Sequence, residues 1–457
     1  MATVTLLCLS LSLPGSAFAT DPVITAIQQG PTSSMALDAN GTLWYWGSNF
    51  AGESGSIGNN SNPESLYVAY PVIVKNVSGI ESMCSGGHFC VALDRNHTLW
   101  TWGTGIFGTL GRDFDNSMSL SYSTPGAIRS IPNVTALSVG NEFVAVLTDD
   151  NTVWTWGNHY YGQLGNGTNI TCTEELLPSI SRTNPDRISY LENVTSISCG
   201  PYNVIALTRD GRVWVWGSTN VYLLGAYGKR NYGQLIGQQG TAVPIPIDGI
   251  GQASSASIGH GFAVILKDDG MVWGWGSNSH GELGTSDYSE TYYPAIIPGV
   301  HSITQIITGD YHVLALDDTG AVWSWGSNRY GQLGDGTTTN RYAPVKLNLP
   351  RIKAISAKGY NSMALDEDGG VWAWGSNTYG QLGNGERGNR FVDDYPYSSV
   401  PRKVIFDRNT LLNKTMNVSS GQTVGGSQTT SGFEVLSAIG ALAMITTISG
   451  YLRKRDH

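Results

Sequence analysis

An all-β fold, a seven-bladed β-propeller, is what the sequence predicts, and three observations predict it. Gly numbers 58, Trp 14 and Tyr 22 among 457 residues, while charged residues are only 13%. That balance suits short strands joined by tight turns better than a disordered chain or a coiled coil. The pattern Trp-x-Trp-Gly recurs seven times, beginning at Trp44, Trp100, Trp154, Trp214, Trp273, Trp323 and Trp372, and these copies use every Trp in the chain. Successive copies stand 56, 54, 60, 59, 50 and 49 residues apart, a period that marks a solenoid or a propeller.

Each repeat has the same grammar. An apolar strand ends in Ala-Leu or a close variant, as in Leu314-Ala315-Leu316 and Met363-Ala364-Leu365. A polar turn such as Asp317-Asp318-Thr319-Gly320 closes a hairpin. The returning strand carries two Trp at i and i+2, on one face. A loop follows that reads Gly331-Gln332-Leu333-Gly334, repeated at 162–165 and 380–383 and loosened at 108–111 and 281–284. Blade 4 has Gly233-Gln234-Leu235-Ile236-Gly237 in that role, and blade 1 has Gly52-Glu53-Ser54-Gly55. A Pro-started segment such as Pro344-Val345-Lys346-Leu347 leads into the next unit. One-faced sheets of this kind bury themselves by packing radially. Blade 1 lacks a Pro-started opening, and 400–406 is a spare one. This predicts that the C-terminal strand pairs with blade 1 and closes the ring, leaving no open edge.

The repeats occupy 20–408, and both ends read as processing segments. Val4 to Leu13 is apolar and Ala17-Phe18-Ala19 follows, which predicts a secretory signal over 1–19, with a buried first strand as the alternative. A polar linker spans 409–432, then 433–452 is an apolar run long enough to cross a bilayer as a helix, with the basic tail 453–457 held on the cytoplasmic side. The expected location is therefore the cell surface, anchored by the C-terminal segment. That tail resembles the C-terminal sorting signals of archaeal and bacterial surface proteins. Ser431-Gly432-Phe433 is similar to the Pro-Gly-Phe motif of the archaeosortase-processed class, with Ser431 in place of Pro. Cys84, Cys90, Cys172 and Cys199 remain after the signal, an even number that permits disulfides outside the cell in any of three pairings.

The net charge of −9 is the wrong sign for a phosphate-binding protein, so nucleic acid is not an expected partner. No zinc spacing, calcium loop or complete phosphate loop is present, and no cofactor or metal is expected. The residue three before each strand-ending Ala, or its equivalent, is Ser33, Phe89, Phe143, Asn203, Phe262, His312 and Asn361. That mixture builds neither a metal ring nor a catalytic set, so no catalytic residue is assigned.

The repeat Ala-Leu-x-x-Asp-Gly-x-Val-x-x-Trp-Gly-x-Asn-x-x-Gly-Gln-Leu-Gly closely resembles that of the regulator-of-chromosome-condensation family, and the resemblance covers about 22–408. It implies the seven-bladed ring. The family's guanine-nucleotide exchange is not carried over, because this chain reads as exported and has no basic tail for chromatin. One branch of the family senses ultraviolet light through Trp, but every Trp here sits at the repeated strand position, where packing accounts for it.

Function on a propeller resides in the loops that differ between blades. Blade 4 carries Tyr222, Tyr227, Arg230 and Tyr232 in an insertion over 221–232. Blade 5 carries Tyr288, Tyr292 and Tyr293, and blade 7 carries Arg390, Phe391, Tyr395 and Tyr397. Tyr with Arg is the composition of binding hot spots. The sequons at Asn40, Asn96, Asn166 and Asn169 are candidates for glycosylation. Those at Asn76, Asn133 and Asn193 are read as turn residues at one repeat position, where Gly299 and Pro350 stand in other blades. The expected protein is a monomeric, non-catalytic, surface-displayed propeller that binds a cell-surface protein or glycan. An extracellular polysaccharide-acting enzyme and an enzyme inhibitor are the alternatives, and adjacent Asp393 and Asp394 cannot alone flank a glycosidic bond.

Overall fold

The computed structural model describes residues 21–55, 66–112, 121–168, 181–218, 222–225, 240–387 and 396–406. Among these, twenty-eight strands form seven four-stranded sheets, each strand antiparallel to the next in chain order. Blade 6 represents the plan, with strands Ile303–Thr308, His312–Asp317, Val322–Gly326 and Arg341–Lys346. The first strands of successive blades contact one another all the way round, blade 7 against blade 1 included, so they line the axis of a closed ring. Antiparallel order then puts two loops of each blade, first-to-second and third-to-outer, on one rim (the loop rim). The hairpin turns and the blade-to-blade links share the other (the turn rim).

Burial explains the strand sequences. The second strand lies between both neighbours and is buried along its length, hence apolar runs such as Val313-Leu314-Ala315-Leu316. Apolar clusters bridge blades: Phe262, Val264 and Leu283 of blade 5 pack with Ile303, Val313 and Trp325 of blade 6. Sheets that pack this way cannot fold alone, and each added blade covers the last.

The two Trp of each repeat do different things. The second is fully buried in every blade, and its indole N–H donates to a backbone carbonyl in the third-to-outer loop of the preceding blade. Trp102 reaches Glu53 at 2.7 Å, Trp216 reaches Gln163 at 3.0 Å and Trp325 reaches Glu282 at 2.8 Å. Ring closure repeats the same bond, from Trp46 of blade 1 to Gln381 of blade 7 at 2.9 Å. The first Trp instead stays within its blade, as Trp323 donates to Asp317 at 2.9 Å. Blade 5 has Lys267 where the Asp stands, and its ammonium lies 4.3 Å from the centroid of the Trp273 ring.

The expected pairing of the C-terminal strand with blade 1 is not found. Tyr397–Lys403 pairs with Val371–Ser376 and is the outer strand of blade 7 itself. The Pro-started segments do not open the next blade; they lie in the outer strand of their own, at Pro71, Pro125, Pro185, Pro244, Pro294, Pro344 and Pro401. In each blade the ladder to the third strand is irregular there: Ser324 pairs with Val345 and Gly326 with Arg341, leaving Pro344 between. A Pro costs no ladder bond at such a bulge on an edge strand. Blade 1 is complete from Ile24 to Ile73 and needs no borrowed strand. The C-terminal segment meets it through side chains, with Phe406 edge-on to Trp44 and Trp46 at 5.6 and 5.8 Å between centroids.

Cys84, Cys90 and Cys199 are buried free thiols, so no disulfide joins these three. Burial pushes Cys84 up to about 12 and Cys199 up to about 11, which leaves both unreactive. Cys172 and the segments 1–19, 409–432, 433–452 and 453–457 lie outside the described residues. Among those described, no helix is long and apolar enough to cross a membrane.

Candidate functional site

The loop rim is built on one side chain. In blade 6, Asn328 is fully buried; its carbonyl oxygen accepts from Leu333 N at 3.0 Å and its amide donates to Thr337 O at 3.0 Å. Asn278 and Asn377 repeat this with Leu283 and Leu382. Blade 3 has His159 in that place, and its Nε2 meets Thr168 O at 2.8 Å. The following Gln closes the turn, since Oε1 of Gln332 accepts from Tyr330 N at 2.9 Å.

Two blades replace that Gln by Glu. Glu53 and Glu282 keep the backbone bond, from Ala51 N at 2.7 Å and His280 N at 2.8 Å. Their second oxygen cannot donate as an amide would, and an imidazole meets it instead: His88 Nδ1 at 3.2 Å and His280 Nδ1 at 3.1 Å. Both carboxylates are buried. The Glu282 bond raises the pKa of His280 above its usual value, against partial burial.

Because the turn is fixed, the residue before its first Gly is presented at the rim: Tyr161, His280, Tyr330 and Tyr379 in blades 3, 5, 6 and 7. The residue just before the second strand of the next blade faces it. Tyr161 meets Tyr202 at 5.3 Å, His280 meets Tyr311 at 5.3 Å and Tyr330 meets Tyr360 at 5.0 Å between centroids. Tyr311 and Tyr360 stack at 6.2 Å and 19°, and His260 lies 5.1 Å from Tyr311. Five half-buried rings, His260, His280, Tyr311, Tyr360 and Tyr330, thus run without a break over blades 5 to 7. A second group, Phe50, Tyr67, Tyr379 and His88, spans the seam from blade 7 to blade 2.

Of the residues singled out by sequence, Tyr288 and Tyr293 are exposed, and Tyr288 lies 4.4 Å from Tyr342. Tyr292 packs on Tyr222 at 4.6 Å. Tyr397 is exposed at the start of the outer strand of blade 7. Tyr227, Arg230, Tyr232, Arg390, Phe391, Tyr395 and Asn169 lie outside the described residues. The blade 4 turn is corrected: Trp275 donates to Leu223 O at 2.9 Å, and Gly225 N bonds Tyr222 O at 3.0 Å with φ 60° at Gly225. Tyr222-Leu223-Leu224-Gly225 is therefore the turn, not the beginning of an insertion. The sequon positions divide too. Asn133 and Asn193 directly precede a first strand, whereas Asn76 stands four residues before one, as Gly299 does. The aromatic belt itself was missed by sequence reading, although Tyr recurs before Gly-Gln-Leu-Gly at 161, 330 and 379.

Among the described residues no group of three or more His, Cys, Asp or Glu could hold a metal ion. His312 is fully buried, its Nε2 bonding Ser362 at 2.9 Å, and burial holds it down at about 3.

The family model of the RCC1-like domain matches residues 172–438, and that of the regulator of chromosome condensation (RCC1) repeat matches 134–163. The chain is 29% identical over 282 residues to the human E3 ubiquitin-protein ligase HERC2, covering 60% of this chain and 5% of that one. It is 30% identical over 269 residues to the mitochondrial RCC1 domain-containing protein RUG3 of Arabidopsis thaliana, 57% of this chain and 55% of that one. Ultraviolet-B receptor UVR8 of the same plant is 26% identical over 268 residues, 58% and 56% of the two chains. The match thus spans about half of the two plant relatives and a small part of HERC2. Among solved structures, human WBSCR16 superposes with a TM-score of 0.64 at 20% identity, over 77% of this chain and 89% of that one. Yeast RCC1 (Prp20) bound to Kap60 gives 0.64 at 20%, over 90% and 92%; these two likenesses concern the fold. With more than half its length matched by the family model and seven blades joined by one recurring Trp bond, the chain belongs to the RCC1-like domain family.

Proposed function

We propose that the protein is a non-catalytic interaction propeller, displayed outside the cell, that captures a protein partner on its loop rim. The observation that carries this reading is the run of five rings over blades 5 to 7. Rings held against one another, two of them (His280 and Tyr330) on hydrogen-bonded turns, bury large area with little entropy left to lose, which is what binding hot spots need. A protein is favoured over a glycan by the partners of similar rings: yeast Prp20p is described with Gsp1p and histones, and with Kap60. Export rests on the apolar segments near the two ends of the sequence. Ubiquitin transfer and ultraviolet reception belong to the relatives so named and are not assigned here.

The test is capture of cell-surface proteins by the full chain and by a variant carrying Tyr311→Ala, Tyr330→Ala and Tyr360→Ala. A protein held by the parent should be lost from the variant, while a control with Tyr190→Ala, an exposed ring on a blade-to-blade link of the turn rim, should retain it. Equal capture by parent and triple variant would overturn the reading.

A further inference from the structure

We propose that the turn rim of blades 1 to 4 is an N-glycosylated face, with Asn40, Asn76, Asn96 and Asn193 as the acceptors; this rests on the reading of the protein as exported. All four head Asn-x-Ser/Thr sequons, the acceptor pattern of surface loops in secreted chains. Separated in sequence by as much as 153 residues, they come together on one rim. Asn40 and Asn96 sit in the hairpin turns of blades 1 and 2, and Asn76 and Asn193 in the links entering blades 2 and 4. All four are exposed.

Their local chemistry fits an acceptor. In the two hairpins the backbone demands of the turn are met by Asp carboxylates. Asp38 accepts from Asn40 N at 2.9 Å and Thr42 N at 3.0 Å, and Asp94 accepts from Asn96 N at 2.8 Å and Thr98 N at 3.0 Å. The Asn side chains are thereby spared a structural task, and among the described residues none of the four side-chain amides is hydrogen-bonded. Asn133, on the same rim, is the contrast: its amide donates to Asp149 at 2.9 Å.

The distribution is one-sided. No sequon occurs between Asn193 and Asn413, so blades 5 to 7 carry none. At the hairpin position of Asn40 these blades have Asp269, Thr319 and Asp368. The aromatic run occupies those same bare blades, on the opposite rim. With sequons confined to blades 1 to 4, bulky hydrated chains leave the loop rim over blades 5 to 7 open to a partner.

The co-reactant is a lipid-phosphate-linked oligosaccharide. Nδ2 of each Asn bonds to the anomeric carbon, the bond from that carbon to the phosphate oxygen breaks, the lipid phosphate leaves with the electron pair, and Nδ2 gives up one proton.

The full chain would be expressed in cells with an N-glycosylating export route, once with its own N-terminus and once behind a host export leader. Exported protein would be treated with an amidase that converts glycosylated Asn to Asp and read by peptide mass spectrometry. Asp is expected at positions 40, 76, 96 and 193. Thr42→Ala, Ser78→Ala, Thr98→Ala and Thr195→Ala should each abolish conversion at one site while keeping the turn Asn. Exported protein with these four Asn unconverted overturns the proposal. If only the leader-borne form is exported and converted, the glycan face stands and the native export signal does not.

Discussion

At the residue scale, two imidazoles with opposite surroundings push the pH dependence of stability in opposite senses. Burial holds His312 at about 3, so the folded state keeps it neutral while the unfolded chain takes a proton near 6.5. Its contribution is complete above 6.5 and declines as pH falls toward 3. Phe occupies its position in three other blades, as Phe89, Phe143 and Phe262, all fully buried. His312→Phe should therefore flatten the acid side of the stability profile. His280 behaves in the reverse sense. Its bond to Glu282 raises its pKa, so that contribution is present below 6.5 and is lost as pH rises through the raised value. Glu282→Gln, the residue of blades 3, 6 and 7, should remove this alkaline decline. Urea midpoints between pH 4 and 9 for the parent and both variants check the two signs; an unchanged acid limb in His312→Phe contradicts the first.

At the scale of elements, the legible and illegible parts of the fold separate cleanly. The second strand and the Trp-bearing third strand could be read because their side chains face two neighbours and leave no choice of residue. The outer strand was misplaced, because a Pro-started segment looks like the beginning of a unit until its partner is known. Sequence period alone leaves the phase of a ring undetermined. Blade 4 was misread for a related reason. Gly-Gln-Leu at 233–235 matches the repeat by residue identity, whereas the fold asks for a buried Leu, a Gly near φ 60° and a carbonyl beneath the next Trp, which Leu223, Leu224 and Gly225 supply. The aromatic belt escaped because its partners come from adjacent blades, some fifty residues apart. The outer-strand account makes a direct prediction. Pro344→Ala should change stability by less than about 0.5 kcal/mol, since no ladder bond is gained or lost at the bulge. Leu314→Pro, in a central strand buried along its length, should destabilise far more, because it removes a ladder donor where no bulge accommodates it. A large loss for Pro344→Ala in denaturant titration would contradict the assignment.

At the scale of the whole molecule, the ring holds together by repetition rather than by a special latch. The seam between blades 7 and 1 uses the bond that every other interface uses, Trp46 to Gln381 O, reinforced by Ser34 Oγ to the same carbonyl at 2.8 Å and by the edge-on contacts of Phe406. One departure crosses the axis. Lys358 stands where six blades have Gly, as at Gly309, where a Cβ would lie 2.1 Å from His312. Its buried ammonium donates to Val139 O of blade 3 at 3.1 Å and to Cys199 O of blade 4. Those bonds tie blade 7 to blades 3 and 4 on the far side of the ring, at the loop-rim ends of their first strands. The central claim, that the loop rim receives a protein partner, is tested most directly by placing a photo-crosslinking phenylalanine at Tyr311 or Tyr360 and, for comparison, at Asp318 on the turn rim. On illumination of the full chain at the cell surface, a discrete adduct should form from Tyr311 and Tyr360 and none from Asp318. An adduct from Asp318 with none from either Tyr would contradict the account.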